Sequence, residues 1–143
     1  MKKRILLVDD DLAVRESLAR VLETEGFEVV MAADGRDALA QFTNHRPDLV
    51  LLDLNMPHKD GWAALEDMSQ FDPWLPVIVI TARPHQYQRA IGAGCDALME
   101  KPLDLALLLD KMRELLAESP RERVARLTSP EFVTTRLPSA VQS

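Results

Sequence analysis

Five short apolar runs punctuate the first hundred residues: Ile5-Leu6-Leu7-Val8, Phe27-Glu28-Val29-Val30-Met31, Leu49-Val50-Leu51-Leu52, Val77-Ile78-Val79-Ile80 and Asp96-Ala97-Leu98-Met99. The continuous run Leu49–Leu52 reads as a strand covered on both sides, Ile5–Val8 as a buried strand, and the other three as strands beside them. The stretches between them carry apolar residues at the helix period. Residues 12–25 place Val14, Leu18, Val21 and Leu22 on one face, with Asp11 to cap the start and Gly26 to stop it. Asp34-Gly35 opens a second helix that Arg46-Pro47 ends, and a third follows Gly61. A weaker one follows Pro84, and the last begins near Asp104 with Leu105, Leu108, Leu109, Met112, Leu115 and Leu116 as its stripe. Strand and helix alternate five times. That pattern specifies an α/β fold: a five-stranded parallel sheet with helices on both faces.

Composition narrows the function classes. At 143 residues the chain suits one domain with a substantial core, and 47% hydrophobic residues argue for folding over disorder. A net charge of −6 argues against nucleic-acid binding through the surface at large. A single cysteine, Cys95, excludes an intrachain disulfide and a cysteine-built zinc site, and fits a reducing, cytoplasmic setting. No apolar run approaches the ~18 residues of a membrane span. The apolar run after Lys2-Lys3-Arg4 is too short for a signal peptide and ends in three aspartates.

The polar residues that close the runs matter most. In a parallel sheet all carboxyl ends share one rim, where ligands bind. The first strand ends in Asp9 and Asp10, the third in Asp53, the fourth in Thr81 and the fifth in Lys101. Alone, Asp53 reads first as a turn or capping residue. With the others it belongs to a rim of carboxylates that cannot all stay ionised uncompensated. A hard divalent cation such as Mg²⁺, held by oxygen ligands, is the natural compensation. With Lys101 and the Thr81 hydroxyl beside it, the set suits an incoming phosphoryl group, with Asp53 as nucleophile.

These residues, in this order, resemble the response-regulator receiver family of two-component signalling, the CheY-like superfamily. The carriers are Asp9-Asp10 after the first strand, Asp53-Leu54-Asn55-Met56-Pro57 with Asp60-Gly61, Thr81-Ala82 and Lys101-Pro102, within a match running from about Lys3 to Glu118. The resemblance implies a flavodoxin-like (βα)5 fold with strand order 2-1-3-4-5. It implies Asp53 as phosphoacceptor, charged from a sensor histidine kinase or a phosphotransfer protein. Asp10 and Asp53 would be direct Mg²⁺ ligands, with the Asn55 backbone carbonyl as a third and Asp9 acting through water. Thr81 would be the switch hydroxyl and Lys101 its ion-pair partner. The Lys101-Pro102 bond would be cis. A downstream output protein or domain would read the switched surface of the fourth helix, fifth strand and last helix. The chain itself would not be an enzyme in the ordinary sense.

The chain departs from the family at Leu98, where an aromatic rotamer switch is common, and at His58-Lys59 in the loop after Pro57. Two other readings use the same residues. An aspartyl-phosphate phosphatase or phosphotransferase needs an acid/base residue two positions after Asp53, where Asn55 cannot serve. A binding module with a vestigial acid pocket has no need of the complete set. Trp62 and Trp74 read as packing groups, and Cys95 as a buried, inert thiol. The extra Leu107 on the last helix suggests a covered face: a homodimer through this region, or a covering tail. Residues 1–118 therefore read as the receiver domain. Residues 119–143, broken by Pro120, Pro130 and Pro138, read as a short tail or linker with a helix over residues 121–127 and no output domain.

Overall fold

Three aspartates start helices where the sequence places them. In the computed structural model, which describes residues 2–54 and 61–140, Asp11 accepts the Val14 amide at the start of α1 (Leu12–Thr24). Asp34 accepts that of Asp37 at the start of α2 (Gly35–His45), and Asp104 that of Leu107 at the start of α5 (Leu105–Ala117). Each side chain satisfies an amide that the first helical turn would leave unpaired. Gly26, at φ 94°, lets the chain leave α1 in a conformation that a side chain would strain.

The strands are β1 (Arg4–Val8), β2 (Glu28–Ala32), β3 (Leu49–Asp53), β4 (Val77–Thr81) and β5 (Ala97–Glu100). Helices α3 (Gly61–Phe71) and α4 (Tyr87–Ala93) complete the alternation. Side chains along each strand alternate between two cores. One core joins Leu6, Val8, Val50, Leu52, Val79 and Leu98 to Phe42 of α2, Leu65 and Met68 of α3 and Ala90 of α4. The other joins Ile5, Leu7, Leu49, Leu51, Ile78 and Met99 to Leu18 and Leu22 of α1 and to Leu108 and Met112 of α5. Val14 and Leu105, both placed on core stripes by periodicity, stand exposed at the helix starts. No helix is long and apolar enough to cross a membrane among the described residues.

Two expectations need correction. Among the described residues the sheet has six strands, not five, in the order β2-β1-β3-β4-β5-β6, all parallel. The sixth, β6 (Thr135–Leu137), comes from the stretch read as a tail; α6 (Pro120–Thr128) is the helix expected over residues 121–127, but docked on the body instead of lying in a linker. Ser119 and Glu122 cap α6 reciprocally, with Pro120 in its first turn. The helix lies against the body because Arg123 is buried. Its two terminal nitrogens each lie 2.9 Å from a carboxylate oxygen of the buried Asp96, and its Nε donates to the Trp74 carbonyl. Arg126 adds bonds to Asp96 and Glu118. Apolar periodicity carries no trace of a charge network, and a three-residue strand centred on an arginine is too short and too polar to stand out. The added strand leaves the doubly wound fold class as expected.

Candidate functional site

The rim forms where β1, β3, β4 and β5 end side by side. Asp9 follows β1, and its amide donates to the Ala32 carbonyl at 3.1 Å. Asp53 is the last residue of β3, level with Ile80 of β4. Thr81 ends β4, and its carbonyl accepts the Lys101 amide at 2.8 Å. Backbone bonds thus fix where each functional side chain starts, and the Lys101-Pro102 peptide bond that follows is cis.

Asp9, Asp53 and Thr81 are buried, whereas Asp10 stands in solvent. Carboxylate oxygens of Asp9, Asp10 and Asp53 lie within 4.8 Å of one another. The Lys101 Nζ reaches 3.0 Å from Asp53 Oδ2 and 3.5 Å from Asp9 Oδ2. The other oxygen of Asp9 accepts the Asp11 amide at 2.9 Å, and Arg15 donates to the Asp9 carbonyl. The Thr81 hydroxyl accepts the Arg83 amide at 2.9 Å.

Burial pushes the Asp9 carboxyl above its usual range. The Asp11 amide opposes this, and the charge of Asp53 adds to it. Burial also pulls the Lys101 ammonium down. The hydrogen bond and charge of Asp53, followed by those of Asp9, outweigh it, so Lys101 binds its proton more tightly than an ordinary lysine. Among the described residues the cluster is negative, its carboxylate donors are all oxygens, and Lys101 is the cation paired with it. That donor set fits a hard divalent ion such as Mg²⁺, which takes few carboxylates and keeps part of its water.

All five rim residues named from the sequence, Asp9, Asp10, Asp53, Thr81 and Lys101, lie on elements that converge here. Asn55, whose carbonyl was expected to join them, lies outside the described residues, as do His58 and Lys59. Leu98 is buried in the α3–α4 core. Cys95 is buried, and burial pushes its thiol up to about 12, as expected of an inert group. Trp62 packs in the core with the Arg89 guanidinium 5.2 Å from its ring centroid, while Trp74 is partly exposed. Sequence reasoning named Gly61 but not its close approach: a Cβ there would meet the Leu54 Cα at 2.9 Å and the Asp53 carbonyl at 3.1 Å. The glycine lets α3 start against the residues that carry the central carboxylate. The Asp60-Gly61 pair, named as part of the family pattern, was the signal available.

Known proteins resemble this chain in sequence and fold. Residues 5–113 match the response regulator receiver domain family. The chain is 44% identical over 133 residues to the response regulator MprA of Mycobacterium sp. (strain KMS), covering 92% of this chain and 54% of the relative. It is 41% identical over 134 residues to MprA of Mycobacterium tuberculosis (strain ATCC 25177 / H37Ra), covering 92% and 58%. It therefore spans little more than half the length of these relatives. Among solved structures, a CheY-like response regulator receiver domain protein from Methanospirillum hungatei JF-1 superposes with a TM-score of 0.76 at 36% identity, over 81% of this chain and 94% of that one. The response regulator TrrA from Thermotoga maritima, solved in complex with Mg(2+)-BeF, gives a TM-score of 0.74 at 32% identity, over 79% and 98%. From strand ends to cluster to relatives, the observations agree: the chain belongs to the response regulator receiver domain family and carries its signalling fold.

Proposed function

We propose that Asp53 is the phosphoacceptor of a phosphorelay. The observation that carries this reading is the Asp53 carboxylate, buried at the end of β3, clustered with Asp9 and Asp10 and 3.0 Å from the Lys101 ammonium. An Asp53 oxygen attacks the phosphorus of a phosphohistidine on the donor, a sensor histidine kinase or phosphotransfer protein. The O–P bond forms, the P–N bond breaks, and the electron pair leaves on the imidazole nitrogen. Lys101 neutralises charge on the phosphoryl oxygens, and the Thr81 hydroxyl, turned from the Arg83 amide, donates to one of them. Asp10 and Asp53, with the Asn55 carbonyl, would hold Mg²⁺ directly and Asp9 through water; when bound, the ion shields the repulsion between carboxylates and incoming phosphate.

The chain in this reading turns over no substrate beyond its own acyl phosphate. Phosphorylation biases a two-state equilibrium that a downstream output protein or domain reads. Residues 1–118 are the receiver unit and residues 119–143 its extension. A homodimer through the α5 region and a cytoplasmic setting belong to the same proposal. Incubation with acetyl phosphate and Mg²⁺ followed by intact-mass measurement tests it. The expected result is one phosphoryl adduct, absent from Asp53→Asn. No adduct and no beryllofluoride binding by the wild-type chain would refute it.

A further inference from the structure

The two parts of the C-terminal extension are held very differently. Arg123 and Arg126 lock α6 onto Asp96 and Glu118 through a buried charge network. β6 lies on the β5 edge through three register pairs, Ala97↔Thr135, Leu98↔Arg136 and Met99↔Leu137. Leu137 packs against the α1–α5 core, and the remaining side-chain contacts are polar. The buried Thr134 hydroxyl donates to the Cys95 carbonyl at 2.7 Å, with that of Ala90 at 3.3 Å. The Tyr87 hydroxyl donates to the Thr134 carbonyl at 2.6 Å. Arg136 pairs with Glu100 at 2.8 Å in largely exposed surroundings and lies over the Tyr87 ring. Between α6 and β6 runs an irregular stretch in which Val133 is half exposed. Elements with few buried contacts open locally while the rest of a fold stays closed.

The attachment of β6 brackets the acid pocket. Glu100 takes Arg136, and the Pro102 carbonyl accepts the Ala140 amide at 2.9 Å. Lys101 stands between them, its amide on Thr81 and its Nζ on Asp53. Most of the M. hungatei and T. maritima chains is matched by about four-fifths of this one, so the remaining fifth lies outside what they share.

We propose that the β5 edge, with the carbonyls of Ala90 and Cys95 beside it, is a strand-docking surface whose occupant is this chain's own residues 134–140, and that phosphorylation of Asp53 releases them while α6 stays docked. The release rests on the phosphoacceptor reading above. A phosphoryl group draws Lys101 Nζ off the Asp53 and Asp9 oxygens and the Thr81 hydroxyl off Arg83. Residues 100–102 shift with Lys101, which moves the Glu100 carboxylate and the Pro102 carbonyl that hold Arg136 and Ala140.

Hydrogen exchange by mass spectrometry on the full chain tests this, with and without Mg²⁺ and beryllofluoride, while ¹⁹F NMR reports whether the fluoride complex is bound. The expected result is at least a threefold rise in exchange of residues 130–140, with residues 120–128 unchanged. Bound beryllofluoride with β6 unaltered or slowed overturns the release and leaves the phosphoacceptor reading intact. No bound signal refutes that reading and the release with it. The variant Arg136→Glu, tested without the fluoride complex, sets a like charge against Glu100 and removes the contact over Tyr87. It should speed exchange of residues 130–140 at least threefold with α6 protected. An unchanged β6, or joint opening of β6 and α6, overturns the separate seat.

Discussion

Replacing Arg123 by methionine measures how firmly the extension belongs to the fold. Arg123 reaches both oxygens of Asp96 at 2.9 Å, and Asp96 is only 1% exposed. One of those oxygens also accepts the Val77 amide at 2.9 Å, so the carboxylate cannot swing out to water without unpairing the first residue of β4. Removing one partner of a buried ion pair costs about 3–5 kcal/mol, chiefly by stranding the other charge. Arg126, with its Nη2 2.7 Å from Asp96, still compensates part of it. Methionine also keeps much of the aliphatic stem in place. The expected loss is therefore about 2–3 kcal/mol. In urea this appears as a midpoint lowered by about 1–2 M at an m-value near 1.5–2 kcal/mol/M. The variant Asp96→Asn/Arg123→Met removes the stranded charge while keeping an acceptor for Val77. It should be at least about 1 kcal/mol more stable than Arg123→Met alone. A single variant within about 0.5 kcal/mol of the wild type would show that the pair is not buried and that α6 is not docked by it. A double variant as unstable as the sum of the singles would assign the loss to packing rather than charge.

Three further outcomes follow from the site and its supports. Asp53→Asn should fold with its stability changed by no more than about 1–2 kcal/mol, since Lys101 keeps Asp9 as a partner, yet show no phosphoryl adduct by intact mass. Gly61→Ala should cost about 1–3 kcal/mol in urea unfolding and slow phosphoryl uptake, because the new methyl displaces the backbone at Asp53 and Leu54; an unchanged uptake rate would refute that support. Glu118 is held below its ordinary value of 4.5 by the hydrogen bond from Arg126, working against burial. Its stabilisation is therefore complete above pH 4.5 and disappears as pH falls through its lower folded value. The stability gap between wild type and Glu118→Gln should shrink over that window, and a gap independent of pH would contradict the assignment.

The sheet and its rim were readable because they obey simple periods. Leu49–Leu52 and Val77–Ile80 announce doubly covered strands, and the polar residue closing each run lands on the rim through the pleat and the parallel register alone. The capping roles of Asp11, Asp34 and Asp104 follow from local chemistry. The helix of the extension was legible, but its docking and the sixth strand were not, for the opposite reason. Its anchor is a charge pair between Asp96 and Arg123, 27 residues apart, and neither residue looks buried from its neighbours. Asp96 reads as the polar start of a strand, and Arg123 as one arginine among several in a solvated helix. The closeness of Gly61 to Asp53 was equally invisible, because it is a property of how α3 approaches β3. Leu98 was placed correctly in the fifth strand, and its alternation partner Met99 shows why it faces the α4 side.

The sixth strand also changes what the sheet offers to other chains. Ala97, Leu98 and Met99 are all buried and carry no charge or proline that would discourage pairing. As an outer strand, β5 would be a template for aggregation. β6 moves the boundary outward to a strand of three residues with an exposed arginine at its centre and Pro138 directly after it. At the opposite boundary β2 begins with Glu28, paired to Arg4. Both margins are thus short or charged, the usual protection against edge-to-edge stacking. The extension therefore covers the apolar edge of β5. A chain that sheds β6 gains a bare apolar margin, and its tendency to self-associate should rise with concentration.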